Sequence, residues 1–266
     1  MKEAAPARVQ VLLASDSPQG VLIRRGPSKE TGIIGWNRLS DTFQVGQWLK
    51  GKVYSERCDI APDGKHWIYF TMSAKGKTWT AVAKTPYLKA LDFYKTGDTW
   101  GGGGIFLSNQ SYWHHEGIYS AEESRQESGF AVVTEYPEWN LYRGIQFARM
   151  VRDGWSRKVL TKTEKENYYE IFERRINEHW SLCCHFSRSA KLGYGASSTY
   201  YSLRNSKTDE CQECPEWEWA DIDGGRIVWT EKGRLMAGKV RKTGLSGKRM
   251  LMDTNLFVFE RLVAPY

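Results

Sequence analysis

Cys58–Phe70 reads CDIAPDGKHWIYF. An acidic residue, Asp59, and an apolar one, Ile60, lead into the turn Pro62-Asp63-Gly64. A basic residue, Lys65, follows, and then a run of aromatic and β-branched side chains. Proline presets φ at about −65° for the first corner of a turn, and glycine accepts the positive φ that closes it. The residues after the turn suit a pleated, buried surface. The stretch therefore predicts a hairpin whose second arm is a strand from His66 to Met72.

Working outward, the chain repeats this grammar. In Trp219–Val240, WADIDGGRIVWTEKGRLMAGKV, Asp221-Ile222 takes the place of Asp59-Ile60. Asp223-Gly224-Gly225-Arg226 replaces Pro62-Asp63-Gly64-Lys65, and Ile227-Val228-Trp229 replaces Trp67-Ile68-Tyr69. A further hairpin turns at Glu231-Lys232-Gly233. Weaker copies are read at WNLYRGIQFARMVRDGWSRKVL and WSLCCHFSRSAKLGYGASSTYYSL. Upstream, GVLIRRG, TGIIGW and TFQVGQWL are strand candidates, parted by Gly26-Pro27 and by the turn Asn37–Asp41. Such closely spaced hairpins predict an all-β chain.

CDIAPDGKHWIYF resembles the TolB-type propeller repeat, whose centre is commonly Ser-Pro-Asp-Gly-Lys before an aromatic or β-branched strand. Ala61 holds the serine position, and Pro62, Asp63, Gly64 and Lys65 match. The resemblance covers this stretch and, loosely, Trp219–Val240. It implies a β-propeller of four-stranded antiparallel blades and no particular activity, because propellers host many functions. At roughly 45 to 50 residues a blade, the chain has room for about five, as a single domain over residues 1–266. Closure of a ring needs a strand from one end of the chain to complete a blade begun at the other. Asn255–Leu262, NLFVFERL, is the candidate, pairing beside VQVLLA. A β-sandwich or an irregular two-sheet protein is the alternative.

Other segments fit this frame less directly. TPYLKALDFYKT reads as one helical turn or an irregular crossing, and Ser120–Gly129 as a polar loop. TEKENYYEIFERRINEHW has helical propensity but splits into two strands with a turn at Arg174-Arg175.

With 266 residues, 12 Trp, 14 Tyr and 25 Gly, the chain is long enough to bury a core and rich in strand and turn formers. Its mean hydropathy is −0.57. No apolar run of about 18 residues exists, so no membrane-spanning helix is expected. The first residues make a poor signal peptide, since Val9–Ala14 is short and interrupted by Gln10. Five unevenly spaced cysteines do not form a disulfide framework. A cytoplasmic protein is the expectation. The net charge of +7 is spread evenly, +3 from residues 1–133 and +4 from 134–266. That permits a polyanionic partner without requiring one.

Four of the five cysteines fall near one another as Cys183-Cys184-His185 and Cys211-x-x-Cys214. Read as a metal site, Cys183, His185, Cys211 and Cys214 are the candidate donors for a structural zinc. The competing reading has Cys183 and Cys184 on opposite faces of a strand, one buried and one not, and Cys211 and Cys214 in a polar loop. Glu210 and Glu213 argue against a redox dithiol, because negative neighbours raise a thiol pKa. Gly101–Gly104 opens a strand, with no Lys-Ser/Thr after it, so it reads as a close-packed or flexible crossing and not as a phosphate loop. His114-His115 lacks the His-Glu-x-x-His spacing of a metal site. Asp59, Asp63, Asp221 and Asp223 recur at turns and are read as structural, with paired-carboxylate glycoside chemistry as the alternative.

Lys232–Met252 holds seven basic residues and no acidic one: Lys232, Arg234, Lys239, Arg241, Lys242, Lys248 and Arg249. With Trp229 before it, this is the best polyanion or partner surface on the chain, the competing reading being a solvated hairpin and loop. No nucleophile–base constellation is visible. The functional expectation is a non-catalytic, propeller-like scaffold that binds a protein partner. A small-ligand or glycan-binding propeller and a nucleic-acid-binding subunit are the alternatives.

Overall fold

The computed structural model describes residues 5–27, 29–115, 124–135, 144–163, 167–188 and 197–266. Over these residues the chain is all-β, with several antiparallel sheets, one short α-helix and a single 3-10 turn at Ser55–Arg57. Contacts divide it into two compact units, Met1–Arg149 with Leu256–Tyr266, and Met150–Asn255.

The first unit opens with β1 (Arg8–Leu13), β2 (Gln19–Arg25), β3 (Glu30–Asn37) and β4 (Thr42–Val53). Then come β5 (Asp59–Ile60), β6 (His66–Ser73), β7 (Thr78–Lys84) and β8 (Ala90–Lys95). β9 (Gly104–Phe106), β10 (Ser111–His114), β11 (Ser124–Gln126) and β12 (Ala131–Val133) complete its strands. The largest sheet runs β1-β2-β3-β4-β6-β7-β8-β11, with β5 pairing β6. β4 joins its halves: Thr42–Lys50 pairs β3, and Gly51–Val53 pairs β6. A smaller sheet, β12-β10-β9, contains a parallel pair, β10–β12.

The composition of β6 explains its central place. Trp67 and Tyr69 pack on one side with Leu12, Ile23 and Ile33, while Ile68 packs on the other with Val82, Phe106 and Tyr112. A strand buried on both faces needs no polar alternation, and HWIYF has none. The polar tips are satisfied: Trp67 Nε1 donates to Tyr87 O at 2.7 Å, and Tyr69 donates to Leu88 O at 2.6 Å. Each such side chain contributes about 1.5–3 kcal/mol on burial.

α1 (Gly144–Arg152) bears Ile145, Phe147, Ala148 and Met150 as its buried residues. The second unit then forms two meanders. One is β13 (Ser156–Thr163), β14 (Asn167–Arg175), β15 (Trp180–Arg188), β16 (Ser197–Asn205) and β17 (Cys211–Cys214). The other is β18 (Trp219–Asp223), β19 (Arg226–Glu231), β20 (Arg234–Arg241) and β21 (Gly244–Asp253).

Several local expectations are corrected. Gly144–Arg152, inside the first weak copy, is helix, because its apolar residues recur at helical and not strand spacing. Ala90–Lys95, read as a crossing, is strand β8. The turn expected at Arg174-Arg175 lies instead at residues 176–179, since β14 runs through Arg175 and β15 starts at Trp180. Asn255–Leu262 carries no strand and does not pair with β1. Side chains tie this segment to the first unit: Gln47 Nε2 donates to Leu262 O at 3.0 Å, and Phe259 lies 6.1 Å from Trp48. The Gly101–Gly104 crossing is close-packed, against Phe70, Arg57 and Trp113. Of Ser120–Gly129, read as a polar loop, residues 120–123 lie outside the described residues, and Ser124–Gln126 is strand β11, paired with β8.

Candidate functional site

The cysteines sit on β15 and β17, and strand geometry separates them. Cys183 faces Ser202 on β16, which faces Glu213 on β17; Cys184 faces Tyr201, which faces Cys214. Side chains alternate along a strand. Cys183, His185 and Cys211 therefore share one face of the sheet, and Cys184 and Cys214 the other. Two strand spacings, about 9.5 Å, part Cys183 from β17, whereas thiolates on one zinc lie within about 4 Å of each other. The four proposed ligands are not brought together. Among the described residues no group of three or more His, Cys, Asp or Glu is placed to hold a metal ion. Cys183 and Cys184 are both buried, contrary to the expected split, and Cys211 and Cys214 lie in a strand, not a loop. Burial pushes the Cys183 and Cys214 thiols up to about 11. At neutral pH they are protonated and poor nucleophiles.

His185 instead anchors a polar network that no local sequence pattern announces. Its Nδ1 lies 2.6 Å from the Tyr169 hydroxyl, and its Nε2 lies 2.8 Å from Ser202 Oγ. The Tyr200 ring stacks on it at 4.3 Å, and the Tyr169 and Tyr200 hydroxyls are 3.0 Å apart. Burial lowers the His185 pKa, so the ring is neutral at pH 7. Ser202 is 1% exposed and His185 is buried as well, so the serine–histidine pair lies inside the sheet's packing. Each member thereby satisfies the hydrogen-bonding groups of the others.

The four turn acids are each committed locally. Asp59 Oδ2 accepts from Phe106 N at 2.8 Å in a buried site. Asp63 Oδ1 accepts from Lys65 N at 3.0 Å. Asp221 Oδ1 accepts from Arg174 at 2.5 Å and from Ile222 N at 2.7 Å. Asp223 Oδ2 accepts from Arg226 at 2.8 Å. These are turn and core bonds of the kind acidic residues make at such positions. His114 stacks on Tyr94 at 4.0 Å, and His115 N donates to Gly103 O at 2.8 Å.

The basic run forms the β20–β21 hairpin. All seven cations are exposed, but they divide into two groups. Lys232 pairs with Glu216 at 2.9 Å, and Arg234 with Asp253 at 2.9 Å. Seven residues along β20, about 24 Å away, Arg241 begins the hairpin tip, with Lys242 beside it. Among the described residues, Lys239, Arg241, Lys242 and Lys248 form no ion pair with a carboxylate. Arg249 stands on β21, across from Ala237. The tip is held in place: Asn177 Nδ2 donates to Val240 O at 3.0 Å and Trp180 Nε1 to Lys242 O at 3.2 Å. Trp229, read as part of this surface, is 1% exposed and stacks on Trp217 at 4.9 Å. Tyr201, Trp217 and Trp219 are buried as well.

The first unit carries a groove of about 660 Å³ beside the Pro62-Asp63-Gly64 turn, walled by Tyr87 and Tyr266 and edged by Lys65, His66 and Lys84. Sequence reading missed it, because Tyr266 lies far along the chain from the turn and no local pattern links them. No protein-family model matches this chain, and no curated protein matches its sequence.

Proposed function

We propose that the protein is a non-catalytic, propeller-like β scaffold that holds an acidic face of a protein partner on the β20–β21 hairpin. One observation carries the reading: the exposed tip cations contrast with their neighbours. Within the second unit Arg157 pairs with Glu170, Arg174 with Asp221, Arg204 with Asp209, Arg226 with Asp223 and Arg234 with Asp253. Lys239, Arg241, Lys242 and Lys248 lie outside this pairing, on a hairpin fixed by Asn177 and Trp180. A fixed cluster of one sign supplies steering and register to a partner of the other sign. Lysine on an edge strand also blocks edge-to-edge pairing, which accounts for Lys248 but not for the tip.

The buried aromatics favour protein over nucleic acid. Single-stranded nucleic acid is gripped by rings on which bases stack. Every ring between residues 201 and 255 is buried. The propeller-like part of the proposal rests on the resemblance of CDIAPDGKHWIYF and on the succession of meanders along the chain. A non-catalytic role is supported by the local commitment of the turn acids and of the His185–Ser202 pair.

The test is co-purification from the native host at low salt with the parent and with Lys239→Glu/Arg241→Glu/Lys242→Glu. A stoichiometric protein that comes with the parent, elutes with salt and is lost from the triple variant is the expected result. Undiminished capture by the triple variant sinks the proposal. Retention of nucleic acid in place of protein, lost in the same variant, selects the nucleic-acid reading.

A further inference from the structure

The groove on the first unit is pre-formed, and its chemistry is specific enough to name an occupant. Its floor is the Pro62-Asp63-Gly64 turn, bonded on several sides. Asp16 N donates to Pro62 O at 2.9 Å, and Asp63 N donates to Asn109 Oδ1 at 2.8 Å. Thr85 Oγ1 donates to Gly64 O at 2.6 Å, and Thr85 N to Lys65 O at 2.9 Å. The facing wall is fixed as firmly. The Tyr266 hydroxyl accepts from Lys84 N at 3.1 Å and donates to Lys89 O at 2.7 Å. Its ring meets Tyr87 edge-on at 6.0 Å.

Two cationic side chains, Lys65 and Lys84, and one acidic side chain, Asp63, line the groove. Lys84 Nζ lies 4.9 Å and Lys89 Nζ 5.1 Å from the centre of the Tyr266 ring. Lys65, with a side chain 76% exposed, stands on the opposite edge. Asp63 is the one acidic side chain in the lining, and it is engaged by Lys65 N at 3.0 Å and Lys65 Nζ at 3.5 Å. Burial keeps His66 neutral at pH 7. A ligand here meets cations at both edges and aromatic surface along one wall, in a volume within the usual range for binding sites. A lysine ammonium donates charge-assisted hydrogen bonds to a carboxylate, and tyrosine rings offer apolar surface to a neighbouring flat side chain.

We infer that this groove binds a short acidic peptide segment of a partner protein. One carboxylate lies between Lys65 and Lys84, and a neighbouring aromatic or proline side chain lies on Tyr87 and Tyr266. The groove is open to solvent, which suits a segment that enters and leaves rather than an enclosed metabolite. The site is separate from the hairpin and stands or falls without it.

The experiment titrates the isotope-labelled full chain with the blocked peptide Glu-Glu-Tyr-Glu and, separately, with its matched control Gln-Gln-Tyr-Gln. Amide and imidazole resonances are followed at low salt. The acidic peptide is expected to shift Gly64, His66 and Lys84 and to bind about tenfold more tightly than the control. Lys84→Glu and Lys65→Glu, both at the groove edge, are each expected to weaken it by about tenfold. Lys239→Glu/Arg241→Glu leaves the titration unchanged, which separates this site from the hairpin. Equal binding of the two peptides, shifts confined to the second unit, or no shift up to about 5 mM peptide overturns the inference.

Discussion

The hairpins at Asp59–Ser73 and Trp219–Glu231 pair at matching rungs. Asp59 faces Ile68 and Ile60 faces Trp67; Asp221 faces Val228 and Ile222 faces Ile227. Their turns and their acids nevertheless do different work. The first turn is a longer loop pinned beneath Ser17 and Gln19, with Gly64 at φ +75°. The second is a two-residue turn, Gly224-Gly225, at φ +52° and +83°, with open space around both. Asp59 bonds the backbone of a neighbouring strand, whereas Asp221 holds an arginine. One grammar of strand and turn thus serves a crowded corner and an exposed one, and substitutions should separate them.

The glycines give the largest expected contrast. A Cβ on Gly64 would run into Gln19 and come within 2.7 Å of Ser17 Oγ. Left-handed strain of about 1–2 kcal/mol then adds to an overpacking cost of roughly 1–3 kcal/mol. Gly64→Ala should therefore lose about 3 kcal/mol in urea unfolding. Gly225→Ala meets nothing within 4 Å and should lose only the strain, about 1 kcal/mol. Equal losses would mean that the first corner is not crowded and that the groove floor is not rigid.

The acids come next. Asp59→Ala leaves the buried N–H of Phe106 without its acceptor, a cost of about 1–3 kcal/mol that hardly changes with salt. At the other hairpin the partner is a charge, so the signature is pH dependence. Burial holds the Asp221 pKa above its ordinary value, and Arg174 opposes that rise. In Arg174→Met the opposition is gone and the pKa climbs further. The folded state then favours the protonated acid, so stability is lost as pH rises from about 4 toward 7. The deficit of Arg174→Met should be larger at pH 7 than at pH 4. A deficit independent of pH would mean that Arg174 acts through packing alone.

These contrasts also show where sequence reading stops. The strands of both hairpins were legible, because proline, paired glycines and aromatic runs act within a few residues. The helix Gly144–Arg152 was missed in a chain dense with strand signals, although its apolar residues carry the helical period. Asn255–Leu262 has strand composition, yet its ties are to the side chains of Gln47 and Trp48, which no local pattern announces. The same limit applies to sites. Seven cations in a row were visible, but that Glu216 and Asp253 occupy two of them, and that Trp229 is buried, depends on partners elsewhere. The zinc reading placed four donors by spacing, and strand alternation then put Cys214 on the face away from Cys183.

The smallest expected effect compares the histidines of the two units. His66 is half-buried, edge-on to Phe130 at 5.1 Å, with Asp63, Lys65, Lys84 and Asp92 around it. His185 is buried among Tyr169, Tyr200 and Ser202, with Glu213 nearby. Burial is the main cause of a lowered pKa for both. In the unfolded chain a histidine titrates near about 6.5. As pH falls through that value, the unfolded chain takes up protons that the folded ring refuses, and stability declines. Above it both states are neutral and the contribution is flat. His185→Gln keeps a polar group near Ser202 and Tyr169 but cannot titrate, so its stability should fall less steeply between pH 7 and pH 5 than the parent's. His66→Gln should flatten the same slope by less, because His66 is half-buried whereas His185 is buried. If His66→Gln flattens it more, then the groove edge is the drier of the two sites, and the ranking of the two units by burial is reversed.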